Sequence, residues 1–191
     1  MNASGPRNRL AARRLSPWLL AAFFMVVAAP ARHGAVNAAP AKKQPARPQS
    51  SDIKSVEPQD IKNIVAQNKG KVVVLNFFAT WCVPCHTEFP DIIKLQKAYK
   101  DKGLQVVEVS MNDVTDKDEL QKYLSEVKPP FTVYIAANTE DKFYTDMDPR
   151  WDTALPMTMI FDRTGKNVAF YKEARTYDQF DKDVTPLLAA K

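Results

Sequence analysis

"KVVVLNFFATWCVPCHTEFP", residues 71–90, changes character in its middle. The first part, KVVVLNFFA, is β-branched and aromatic on both faces, as expected of a central strand covered by helices on each side. From Pro84 the chain reads as a helix: Phe89, Ile92, Ile93, Leu95 and Tyr99 form an apolar stripe that closes on Gly103. Pro90 falls inside that helix and is expected to kink it. Cys82 and Cys85 sit at the junction, and they are the only cysteines among 191 residues.

Working outward, PQDIKNIVAQNKG ahead of this unit has Ile61, Ile64 and Val65 at helical spacing and a glycine stop at Gly70. Beyond it, LQVVEVSM reads as a second buried strand, and TDKDELQKYLSEV as an amphipathic helix with Thr115 as N-cap and Glu119 near its start. FTVYI, after Pro129-Pro130, is a short strand. The polar stretch ANTEDKFYTDMDPRWDT then leads to PMTMIFD, the turn DRTG and NVAFYK, an antiparallel hairpin. TYDQFDKDVTPLLAAK is a terminal helix expected to fray around Pro186. Strands and helices alternate first and a hairpin comes late, which predicts an α/β fold whose mixed sheet is parallel at the start and antiparallel at the end.

The first 39 residues hold five arginines (Arg7, Arg9, Arg13, Arg14, Arg32) and no acidic residue, and nothing from Ser16 to Ala31 is charged. A basic opening, an apolar run and small residues at Val36-Asn37-Ala38 make a secretory signal, residues 1–38, cleaved after Ala38. The apolar run falls short of the roughly 20 residues that span a bilayer. Without those five arginines, 22 basic residues face 22 acidic ones. The basic balance of the whole chain therefore belongs to the export signal, and a nucleic-acid partner is not expected. Residues 39–51, rich in Pro, Lys, Gln and Ser, read as a flexible linker. A single domain, 52–191, follows.

In an exported protein a structural disulfide is ordinary, but a bridge closing so short a loop constrains the unfolded chain little. Tetrahedral zinc needs four ligands, and beyond the signal the chain offers Cys82, Cys85 and His86. Copper(I) accepts two thiolates, with Met157 and Met159 as further soft ligands should their segment pack nearby; core packing is the plainer role for both. A redox dithiol fits position as well as spacing. A sulfur just ahead of a helix meets unpaired N–H groups and the positive end of the dipole, which favour thiolate. Cys82 is then the attacking sulfur and Cys85, a turn deeper, displaces the product. Trp81 is expected to pack beside them and limit their exposure. Glu88, three residues after Cys85, is on the same helix face, either as an ordinary solvated charge or as acceptor of the Cys85 proton. His86 lies about one turn from Cys82, as a solvent-facing ring or as a cation favouring thiolate. Pro156, ahead of a strand, is a candidate cis X-Pro site. A peroxidase would need P-x-x-x-T/S-x-x-C, which is absent.

VVVLNFFATWCVPCHTEFPDIIKLQKAY, with ALPMTMIFDRTGK downstream, resembles the thioredoxin superfamily. Within it, the chain is similar to the TlpA/ResA branch of exported thiol-disulfide oxidoreductases, whose string is close to N-F-W-A-T-W-C-x-P-C-x-x-E-F-P. The resemblance runs from about Lys71 to Lys172. It implies a thioredoxin fold, Cys82 as nucleophile, Cys85 as resolving cysteine, Pro156 as the cis-proline opposite the dithiol, and Leu155 offering its backbone to substrate, with Trp81 and Pro84 beside it. It also implies that Glu88 tunes the thiols, since Asn76 stands where cytoplasmic thioredoxins carry a buried aspartate. Pro90 falls where thioredoxins kink this helix.

The branch also implies protein disulfides or dithiols as substrates, a membrane electron donor of the DsbD/CcdA type, no cofactor, a periplasmic address and links to cytochrome c maturation. Around the proline, the CcmG-type reductases of that process read G-V-x-G-x-P-E-T-F. This chain reads WDTALPMTM, without those glycines and that acidic residue, as do ResA-type members that share the task. With no further cysteines a covalent dimer is not expected, and the domain reads as a monomer. The alternative function is copper(I) binding, or reduction of copper-chaperone cysteines in metal-centre assembly.

Overall fold

A computed structural model describes residues 53–190; the expected signal segment and linker lie outside the described residues. The element order is β1 (Ser55–Val56), α1 (Pro58–Gln67), β2 (Val72–Phe78), α2 (Val83–Tyr99), β3 (Leu104–Ser110), α3 (Lys117–Val127), β4 (Val133–Ala136), α4 (Asp141–Met147), β5 (Met157–Phe161), β6 (Asn167–Tyr171) and α5 (Tyr177–Ala189). The strands form one sheet in the order β1-β4-β3-β2-β5-β6. β1, β4, β3 and β2 run parallel, while β5 and β6 are antiparallel additions. This is the mixed sheet that the alternation of elements predicts.

β2 lies in the middle, which explains its composition: all seven of its residues are buried, so neither face tolerates water. Its alternate side chains feed two core layers. Val72, Val74 and Phe78 pack with α2, α3 and α5 through Phe89, Ile92, Leu95, Leu120, Phe180 and Val184. Val73, Leu75 and Phe77 pack on the other face with Ile61 and Val65 of α1, Phe143 and Tyr144 of α4, and Trp151.

Two local expectations are corrected and two elements are added. β1 and α4 are additional elements: β1 is too short to show a period, and α4 lies within the polar stretch because only Phe143 and Tyr144 of its residues are buried. Thr115 is not an N-cap. It lies in a 3₁₀ turn, Val114–Asp116, whose own cap is Asp113, accepting the Thr115 amide at 2.8 Å, and α3 starts only at Lys117. α5 does not fray at Pro186 but runs through it to Ala189, and the Pro186 carbonyl accepts the Ala190 amide at 3.2 Å. Phe180 and Val184, fully buried one turn apart, hold this helix down by packing. α2 contains Pro90, as the sequence places it, and runs for 17 residues.

The pole where the parallel strands begin is closed by one side chain. Arg163, in the β5–β6 turn, donates to the carbonyls of Gly70 before β2 (2.7 Å), Lys102 before β3 (3.3 Å) and Leu188 in α5 (2.9 Å). Gly165 turns that hairpin at φ +85°, a region side chains avoid. The cysteines lie at the opposite pole, where β2 ends.

Candidate active site

The turn from β2 into α2 is held at Thr80, all of whose polar atoms are engaged. Its amide donates to Asn112 Oδ1 (3.0 Å), its hydroxyl donates to Glu119 Oε1 (2.5 Å) and accepts from Asn112 Nδ2 (2.5 Å), and its carbonyl accepts His86 Nε2 at 2.6 Å. Asn112 is itself fixed by the Ser110 hydroxyl at 2.8 Å. The end of β3 and the first turn of α3 thus hold the backbone two residues ahead of Cys82. His86 is exposed and its ring lies 4.9 Å from that of Tyr123, so its polar role here is to tie the turn.

Cys82 is the N-cap of α2, in extended conformation, and its sulfur accepts the Cys85 amide at 3.4 Å. Val83 and Pro84 follow as the first two helical residues; proline is tolerated there because that N–H has no partner inside the helix. Cys82 and Cys85 are joined as a disulfide, with their Cα atoms 5.3 Å apart. Cys82 keeps 5% of its surface and Cys85 2%, so both are buried and Cys82 is the slightly more open of the two. Trp81 corrects an expectation: it is 65% exposed and does not cover the pair. Thr80 and Cys82 turn inward on either side of it, which leaves the indole outside. With Val83, 78% exposed, it forms an apolar rim at the mouth.

Leu155–Pro156 lies at the same mouth. The Phe77–Met157 pair is the last register position of β5 against β2, so the residues just before Met157 stand beside the end of β2. The Leu155–Pro156 peptide bond is cis, Pro156 is buried, and Leu155 packs against the cluster that contains both cysteines. The loop before it is anchored by Trp151, 3% exposed, whose Nε1–H donates to the Ala154 carbonyl at 2.8 Å and whose ring lies 4.5 Å from Phe77 and 4.7 Å from Tyr144. Met157 and Met159 belong to the core layer on the other face of the sheet from the cysteines. Packing is their role.

Below the disulfide, the α2-facing side of the sheet is polar along a single row. Asn76 of β2 pairs in register with Glu108 of β3 on one side and Thr158 of β5 on the other, and all three are fully buried. Asn76 Nδ2 donates one hydrogen to Thr158 Oγ1 (2.8 Å) and the other to Glu88 Oε2 (2.9 Å). Glu88, one turn beyond Cys85, is 2% exposed; it is no solvated helix charge. Its other oxygen accepts the Arg175 amide at 3.0 Å. Burial pushes its titration up from the usual 4.5 to about 7, against the pull of the Arg175 amide, the Asn76 amide and the Arg175 charge.

Glu108 is the residue that sequence reasoning missed. Both its oxygens are buried without a hydrogen-bond partner. Burial first, and the Glu88 charge second, hold its carboxyl well above the ordinary range, which favours the neutral acid. A signal was present in the sequence: an acid within a strand read as buried. Among the described residues no group of three or more His, Cys, Asp or Glu side chains is arranged to hold a metal ion.

This geometry joins a disulfide at a helix mouth to a buried carboxyl group one turn further along the helix. The model of the AhpC/TSA family matches residues 38–170, more than half of the chain. The chain belongs to the AhpC/TSA family. It is 32% identical over 121 residues to the thiol:disulfide interchange protein HelX of Rhodobacter capsulatus, covering 63% of this chain and 62% of that one. It is 30% identical over 123 residues to the thiol-disulfide oxidoreductase ResA of Bacillus thuringiensis, covering 62% and 66%. The chain thus spans just under two thirds of these relatives' length. Among solved structures, a thiol:disulfide interchange protein of the thioredoxin family from Chlorobium tepidum aligns with a TM-score of 0.56 and 26% identity, over 65% of this chain and 84% of that one. A secreted thiol-disulfide isomerase from Corynebacterium glutamicum, 17% identical, has the same fold with a TM-score of 0.60 over 66% and 75%. The fold of this AhpC/TSA-family chain is therefore thioredoxin-like.

Proposed function

We propose that this chain is a thiol-disulfide oxidoreductase of the bacterial periplasm or cell envelope, freed by cleavage of residues 1–38, that reduces disulfides in selected exported proteins. The observation that carries the reading is a cysteine pair at the N-terminus of α2 with Glu88, buried and titrating near neutrality, one turn below.

The cycle starts from the dithiol. The Cys82 thiolate, favoured by the N–H groups of the helix mouth, attacks one sulfur of a partner disulfide. A Cys82–partner bond forms, the partner S–S bond breaks, and the departing partner sulfur takes a proton from solvent. Cys85 then loses its proton to Glu88, and its thiolate attacks the Cys82 sulfur. The mixed disulfide breaks, the intramolecular disulfide forms, and the proton leaves with the second partner thiol. The partner gains two electrons and this chain loses two. Recharging requires an external dithiol, supplied in this reading by a membrane donor of the DsbD/CcdA type. Trp81 and Val83 give an extended substrate an apolar landing, and Leu155 offers backbone groups beside it. Glu108 lies in the same polar row, paired in register with Asn76, and takes no step in this cycle. The chain works as a monomer.

The test is capture. Cys85→Ala is expected to accumulate mixed disulfides on Cys82 in envelope extracts, and Cys82→Ala to accumulate none; equal capture by both, or by neither, refutes the cycle. The reduction potential sets the direction of flow, and a value near about −120 mV, that of a strong oxidant, would reverse the assignment. The copper reading requires a stoichiometric Cu(I) complex lost in Cys82→Ala. Its support is confined to the two thiolates, since Met157 and Met159 lie in the other core layer.

A further inference from the structure

Glu88 is gripped from a segment far away in the chain, the junction between β6 and α5. The Arg175 amide donates to Glu88 Oε1 at 3.0 Å, and one turn further along α2 the Tyr177 amide donates to Asp91 Oδ2, also at 3.0 Å. Thr176, between them, is the N-cap of α5, its hydroxyl accepting the Gln179 amide. Two carboxylates on one face of α2 are therefore docked on the amides at the positive end of another helix. This segment is held unusually firmly. The Arg175 guanidinium donates to Asp183 Oδ2 at 2.7 Å and lies 3.6 Å above the Tyr171 ring, and the Tyr171 hydroxyl donates to the same Asp183 oxygen at 2.9 Å. The Arg175 side chain is only 9% exposed.

We propose that Arg175 is a positioning residue for the Glu88 base: its braced side chain fixes the amide that holds Oε1, and its charge keeps the carboxylate form available for the Cys85 proton. The inference rests on the reading of Glu88 given above. From each element packed against Glu88 the facing groups are Asn76 of β2, a neutral amide; Glu108 of β3, whose carboxyl burial holds well above the ordinary range; Cys85 and Asp91 of α2; and Arg175 itself. Arg175 is the one positive charge in this set. Asp91 opposes the carboxylate form, and so does burial. Without the Arg175 charge only the backbone amide of residue 175 and the Asn76 amide favour it, and the base stays protonated to higher pH.

A ¹³C NMR titration of the side-chain carboxyls in the oxidised full chain reads this directly, with the Glu88 signal assigned from its absence in Glu88→Gln. In Arg175→Ala the Glu88 midpoint is expected to rise by about one pH unit, and Arg175→Lys, which keeps the charge, to bring it at least halfway back. Arg175→Gln repeats the measurement with a longer neutral side chain should the alanine variant not fold. A midpoint equal to the native one in both neutral variants overturns the inference and leaves Glu88 as base. A native Glu88 signal that titrates in the ordinary carboxylate range, below about 5, overturns the reading of Glu88 and this inference with it. A purely structural Arg175 would alter unfolding and leave the midpoint in place.

Discussion

Asn76 spends both hydrogens of its amide on two different elements, 2.9 Å from Glu88 Oε2 in α2 and 2.8 Å from Thr158 Oγ1 in β5. No apolar residue can replace it without leaving a buried oxygen unpaired. Asn76→Ala is expected to destabilise the oxidised protein by about 1–3 kcal/mol in denaturant titration and to raise the Glu88 midpoint further. Asn76→Asp places a second carboxyl against the first, so its loss of stability is expected to be greater at pH 8 than at pH 5.

Glu88 makes folding depend on pH. Its folded titration point, about 7, lies above the usual 4.5, so the native state retains a proton that the unfolded chain has released. The stabilisation is complete below about 4.5 and lost as pH rises through 7. The difference is about 3 kcal/mol. Chemical unfolding of the oxidised protein at pH 5 and pH 8 is expected to show that decline, and Glu88→Gln to flatten most of it. An unchanged slope in the variant would remove Glu88 as its source.

Glu108 adds to the same dependence, because burial holds its carboxyl well above the ordinary range. Relative to the native protein, Glu108→Gln is expected to gain stability by about 1.4 kcal/mol for each pH unit above the unfolded titration point, with little difference at pH 4. Denaturant midpoints measured in parallel check the slope. A variant whose stability tracks the native protein across pH would mean that Glu108 ionises freely.

Much of this was legible before the fold was known. The β2–turn–α2 unit, the hairpin and the cysteine pair at a helix start all follow from residue types at fixed spacing, because burial on both faces of β2 and the placement of Pro84 leave a compositional mark. Glu88 is only half legible: its spacing puts it on the face of Cys85, and burial alone separates a base from a solvated charge. The Arg175 contact leaves no mark at all, since a backbone amide donates whatever side chain it carries. Glu108 is hidden because a lone acid among valines reads as a strand residue until the register sets it beside Asn76. Trp81 misleads in the other direction, since its large apolar area suggests burial at a turn that points it outward.

Trp151 supports the segment that presents Leu155 through a single hydrogen bond to Ala154. Trp151→Phe retains the stacking area and loses that bond. With a protein disulfide as substrate, KM is expected to rise about 3- to 10-fold while the rate of Cys82 alkylation in the reduced protein stays unchanged. A matching fall in alkylation would mean that the indole acts on the sulfur instead.

Arg163 fastens three backbone carbonyls at one pole while Thr80 fixes the sulfur-bearing turn at the other, with the full length of β2 between them. Robustness and reactivity are thereby assigned to separate ends of the molecule. Substitutions at the arginine end lie a whole strand away from the sulfurs, so the scaffold there can be altered while the geometry of the cysteine turn is left in place.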